Sequence, residues 1–167
     1  MKRLAAVAMT LLMVCSAAFA ADKEAEELDA QLTRFLTTLE FGKVMKSAIL
    51  GGVPEADRGD PTVRALMQLP EQRYAAVAAP LFRKEVSLEG ARKIVQFYTS
   101  ETMRKVLASQ NAKGVDASIV VTPAEYAEYE AFMKTEPGRA AVRIGESFGQ
   151  APFQEKFLAA LDKEISK

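Results

Sequence analysis

Apolar residues recur along this chain at spacings of three and four, the period that gathers them on one face of an α-helix, and almost nowhere alternate as in a strand. Leu28, Leu32, Phe35 and Leu39 stand four, three and four residues apart, so a helix beginning near Asp22 carries one apolar stripe. After Gly42 the set Phe41, Val44, Met45 and Ala48 lies on a rotated face, which predicts that a helix running to Leu50 either kinks there or ends one contact and begins another. Gly51-Gly52-Val53-Pro54 ends that helix. A polar loop follows over 55–60, and its Arg58-Gly59-Asp60 tripeptide reads as part of a turn. Asp60-Pro61 has the form of an N-cap followed by proline at the first helical position and predicts a short helix through Leu69. Pro70 opens the next one, carrying Tyr74, Val77, Ala78, Leu81 and Phe82, with an interruption at Pro80.

The C-terminal half repeats itself at a period of 35 residues. Val86-Ser87 corresponds to Val121-Thr122, Phe97 to Phe132, Ser100-Glu101 to Thr135-Glu136, Arg104 to Arg139 and Leu107 to Val142. In each copy a hydroxyl residue caps a first helix and a second hydroxyl opens another, so 86–107 and 121–142 each predict two tightly joined helices. Thr122-Pro123-Ala124-Glu125 is written as a capping box. Glu101 and Glu136, just inside their helices, favour the positive end of the helix dipole. Ala141, Val142, Gly145 and Phe148 are expected on one face of the following helix. Phe153, Phe157, Leu161 and Ile165 then repeat every four residues, with Leu158 beside them. The fold class is all-α: a single-domain helical bundle of about seven or eight helices with two helix-hairpin units in its C-terminal half.

The N-terminus changes the address. Lys2-Arg3 precedes a 17-residue uncharged run from Leu4 to Ala20, ending Ala18-Phe19-Ala20 before the charged Asp22-Lys23-Glu24. This is the plan of a secretory signal peptide, with cleavage expected after Ala20 and the remaining 21–167 working in the periplasm. The run is short for a membrane span, which needs about 20 residues, and Val14 before Cys15 is too large for a lipidation site. Membrane contact is therefore expected only through the leader. Its removal takes two of the 22 basic residues and the only cysteine, leaving 20 basic against 22 acidic residues and no possible disulfide. That balance gives no footprint for nucleic acid. The absence of histidine and tryptophan removes the commonest metal ligand and general base, so no catalytic residue, metal or cofactor is expected.

The stretch Ile94-Val95-Gln96-Phe97-Tyr98-Thr99-Ser100 with Arg104-Lys105, within Val86 to Leu107, resembles a helical bacterial family known as domain of unknown function 2059. The family motif is Phe-Tyr, a spacer, Ser or Thr, then Pro and Gly before a basic residue. Thr102 and Met103 stand here where the family has Pro and Gly, whereas Phe132-Met133-Lys134-Thr135-Glu136-Pro137-Gly138-Arg139 keeps a Pro-Gly. The resemblance implies an exported helical protein of similar length and brings no activity or catalytic residues.

Five residues are candidates for binding. Tyr126 and Tyr129 lie three apart on a face shared with Met133, and Tyr98 follows the repeat aromatic. Such side chains suit a ligand groove or interface, and core packing with a hydroxyl at the rim accounts for them equally. Arg104 and Arg139 hold equivalent places in the two copies, fit to meet a carboxylate or phosphate or to pair with a neighbouring acid. Glu55, Asp57 and Asp60 lack the spacing of a calcium loop. Three functions follow: a module presenting an apolar or tyrosine-rich face to a protein partner or a second copy of itself, a carrier or sensor of a small apolar ligand in an enclosed cavity, and, last, an enzyme built on carboxylates or tyrosines.

Overall fold

The computed structural model describes residues 21–111 and 121–166; the expected leader over 1–20, with Cys15, lies outside them. Among the described residues there are nine α-helices and no strand: α1 (21–38), α2 (Phe41–Gly52), α3 (Pro61–Gln68), α4 (Glu71–Ala78), α5 (Leu88–Tyr98), α6 (Glu101–Asn111), α7 (Pro123–Met133), α8 (Glu136–Ser147) and α9 (Ala151–Ile165). Short 3-10 turns cover Glu55–Asp57 and Ala79–Phe82, the second where Pro80 was expected to interrupt a helix.

The ninth helix comes from the N-terminal segment. It divides at Glu40, which takes a left-handed conformation (φ 52°), and not after Gly42. Gly42 serves another end: a Cβ there would lie 2.3 Å from the carbonyl oxygen of Glu71, so the start of α2 touches the backbone at the start of α4. Only a residue without a side chain permits that approach. Most caps fall where the sequence places them. Asp60 accepts from the Thr62 amide at 2.7 Å, Ser87 from Gly90 at 3.2 Å, and Thr135 from Gly138 at 3.1 Å. Thr122 and Glu125 form the reciprocal capping box. Each cap is worth about 1 kcal/mol.

Packing gathers these helices around one cluster of buried side chains. Leu32, Phe35 and Leu36 of α1, Tyr74, Ala75 and Ala78 of α4, Ile94 of α5, Ile144 of α8 and Leu161 of α9 are almost wholly removed from water. A fully buried side chain of this size contributes about 1.5–3 kcal/mol. At one end Phe41, Phe82, Phe148, Phe153 and Phe157 interlock, with Phe82 stacked on Phe153 at 5.1 Å and Phe153 on Phe157 at 5.5 Å. At the other, Tyr98 meets Phe35 edge-on at 4.8 Å, and Phe97 stacks on Phe132 at 3.9 Å with planes 10° apart. Helix α5 packs on α8 and α6 on α7.

Polar side chains tie the layers at their edges. The Tyr74 hydroxyl donates to the Leu66 carbonyl at 2.6 Å, and Lys46 donates to Met67 at 3.0 Å, so α3 is held against α2 and α4. Arg83 grips Asp29 through two hydrogen bonds of 2.7 and 2.5 Å, and Arg92 reaches Glu27, pinning α1. Arg73 pairs with Glu164 between α4 and α9.

One expected face is turned. In α8 Ala140, Ala141 and Ile144 are buried while Val142 is exposed. Helix α8 is held by both α5 and α7, and at the second contact a Cβ on Gly138 would fall 2.1 Å from the Phe132 carbonyl oxygen. That contact lays the start of α8 on the end of α7.

Candidate functional site

The second half of α2 and the first half of α9 enclose an open apolar groove of about 360 Å³. Its α2 wall is Met45, Ala48, Ile49 and Gly52, continued by Val53; its α9 wall is Gln154, Phe157 and Leu158; Phe148 closes one end. Only Gln154 is polar by side chain, and its amide donates weakly to the Phe148 carbonyl at 3.4 Å. The floor is the edge of the phenylalanine cluster, since Phe41 contacts both Phe148 (4.9 Å) and Phe157 (5.5 Å). Interior packing therefore continues to the surface without a polar layer over it. Leu158 is 50% exposed, and Val44, one turn before Ala48, is 53% exposed.

The sequence signalled both walls but not their meeting. The rotated set Phe41, Val44, Met45 and Ala48 was an apolar face without a partner, and Leu158 stood beside the regular repeat of α9. Nothing in a sequence brings positions more than one hundred residues apart to the same groove.

None of the five candidate residues lines it. Tyr98 is 7% exposed, its ring held between Phe35 and Phe97, and burial with nearby Tyr129 pushes its hydroxyl up to about 12. It is chiefly a packing residue. Tyr129 packs against the same cluster, while Tyr126, with its ring 6.2 Å from that of Tyr129, stands 56% exposed. Arg139 is engaged locally, with a hydrogen bond of 2.6 Å to the Lys134 carbonyl at the end of α7 and an ion pair with Glu136 at 2.9 Å. Arg104 is exposed on α6. The structure thus brings Tyr98, Tyr126 and Tyr129 into one neighbourhood, and no ion pair or hydrogen bond among the described residues joins either arginine to them.

Two further clefts flank the repeats. One of about 390 Å³ is lined by Lys93, Phe97 and Ser100 together with Glu128, Phe132 and Thr135, three pairs each separated by the 35-residue period. Four of its five polar side chains are already occupied: Ser100 and Thr135 cap α6 and α8, Lys93 pairs with Glu89 at 2.7 Å, and Glu128 accepts from Thr102 at 2.8 Å. The other, of about 410 Å³, lies between the start of α5 and the start of α8, where Arg143 bridges Glu85 and Glu136.

The shifted carboxylates follow helix caps and ion pairs. The Lys105 ammonium at 2.6 Å, helped by Thr122, holds the Glu125 carboxyl down at about 2. Arg143 and then Arg139 lower that of Glu136, and the Thr62 amide lowers that of Asp60. Among the described residues no group of three or more His, Cys, Asp or Glu could hold a metal ion, and no helix is long and apolar enough to cross a membrane. No family model, no curated protein and no solved structure matches this chain.

Proposed function

We propose that this chain is an exported, periplasmic helical module that binds a partner protein through the groove between α2 and α9. Residues 1–20 act in this reading as a leader cut after Ala20, and 21–167 form a single-domain bundle of the family known as domain of unknown function 2059. The paired packing of α5 on α8 and of α6 on α7, with Phe97 on Phe132 between them, supports two helix-hairpin units related by an approximate twofold. Such a relation exchanges the two pairings and brings equivalent residues face to face.

One observation carries the functional reading: an apolar groove, continuous with the core, is left open to solvent with Leu158 half exposed at its rim. An open apolar groove between helices is the form of surface that accepts the apolar face of a partner helix. A carrier of a small apolar molecule would enclose its cargo and bury most of its surface, whereas this groove opens along one side. An enzyme would turn titratable groups towards one another in a cleft, and the shifted carboxylates here sit at caps and ion pairs.

The test is site-specific cross-linking in the producing cell, with a photo-reactive side chain at Ala48 and, as control, at Lys134. A discrete protein adduct from Ala48, lost on Leu158→Gln, is expected. Adducts only to lipid would transfer the groove to the carrier reading, and equal labelling from both positions would refute a specific site. Mass measurement of the purified protein checks cleavage after Ala20.

A further inference from the structure

Glu155 and Asp162 lie seven residues apart on α9, with Leu158 between them at spacings of three and four, so all three share one helix face. Both acids are exposed, and neither takes part in an ion pair among the described residues. The neighbouring Lys156 and Lys163 project from another face of the helix. The open apolar side of the groove is therefore flanked along α9 by two unpaired carboxylates, Glu155 beside its wall and Asp162 one turn past Leu158. Helix α2 across the groove carries no acid, and its two lysines are engaged elsewhere, Lys43 with Glu40 and Lys46 with the Met67 carbonyl.

We propose that the groove takes an amphipathic helix of a partner protein whose apolar stripe is flanked by lysines or arginines. This deepens the function proposed above and rests on it. Two helices that both lean on α4, with a shallow furrow between them, suit a third helix laid along the furrow, its apolar anchors at i, i+4 and i+7. The α2 wall from Met45 to Gly52 is about 12 Å long, room for about two turns. Glu155 and Asp162 are separated by about 10.5 Å along the axis, the rise between residues seven apart on any α-helix. A partner with basic residues at that interval presents one charge to each carboxylate while its leucines meet Leu158 and Met45. The same carboxylates repel an anionic lipid surface and a helix with acidic flanks, so they select as well as attract.

The experiment titrates the intact protein with three fluorescent peptides of about 15 residues that share one leucine stripe and differ only in flanks of lysine, glutamine or glutamate. The lysine peptide is expected to bind about three- to tenfold more tightly than the glutamate peptide at low salt, with the gap closing as salt rises. Glu155→Lys with Asp162→Lys should invert the order. Leu158→Gln should weaken all three by about tenfold, with an unchanged circular dichroism spectrum showing that the fold persists. Equal binding of the three peptides, lost on Leu158→Gln, would overturn the charge selection and leave the groove as a binding site. Failure of every peptide to bind would remove both readings. A dimer dissolved by Leu158→Gln would assign the groove to a second copy of the chain and equally overturn the proposal.

Discussion

Segments 86–107 and 121–142 repeat one order of cap, aromatic and second cap, yet their first helices end in different surroundings. Helix α5 buries Ala91, Ile94, Val95, Phe97 and Tyr98, whereas no residue of α7 is fully buried. At the second helix the contrast runs the other way in size. Met103 fills space in α6 where the equivalent Gly138 lets α8 touch the backbone of α7. Shared caps thus set where helices start, and the volume of one side chain sets how closely the second helix folds onto the first. The better-written cap, the Thr122–Glu125 box, belongs to the helix with less burial. Local hydrogen bonds carry more of the specification where packing carries less.

That comparison can be broken first through the buried helix. Ile94→Ala should cost about 3 kcal/mol by chemical denaturation, because Ile94 is fully enclosed. Alanine at its counterpart Tyr129, half-buried on α7, should cost clearly less, and equal losses would refute the difference in environment. Gly138→Ala comes next, at about 2 kcal/mol. Its gain in helix propensity is outweighed by a methyl aimed at the Phe132 carbonyl, an unyielding backbone neighbour. A neutral or stabilising effect would show that α8 can move off α7 freely.

The caps sharpen the comparison further. Ser87→Ala and Thr122→Ala should each cost about 1 kcal/mol in thermal unfolding. Hydrogen exchange should show local opening of α7 in the second variant, and protection of α5 by its tertiary contacts in the first.

The smallest effect is the acid response. Glu125 titrates at about 2 in the folded protein against an ordinary 4.5, so its contacts with Lys105 and Thr122 stabilise the fold at neutral pH. That contribution is lost as pH falls from about 4.5 towards 2. Glu125→Gln should flatten the stability curve across this window, and an unchanged acid limb would show that the contact is not formed in solution.

How much was legible follows from range. Caps at Asp60, Ser87, Thr122 and Thr135 were readable because a hydroxyl or carboxylate meets an amide two or three residues away. The stripe Leu28, Leu32, Phe35 was readable because helical period alone brings those residues together. The break at Glu40 was not, since a non-glycine residue held at positive φ depends on the packing of α2 against α4. The tyrosines and arginines stood out by type, but type could not say that Tyr98 would pack between rings or that Arg139 would bond the end of the preceding helix.

The sequence by itself determined an all-helical chain and most of its helix starts, because those rest on interactions spanning four residues or fewer. Only the tertiary structure decided which apolar faces are covered. It turned α8 so that Ile144 is buried and Val142 is not, joined phenylalanines from distant segments into one cluster, and left the strip between α2 and α9 uncovered. Burial is a property of neighbours, and neighbours more than a few turns apart are chosen by shape and volume across the whole fold.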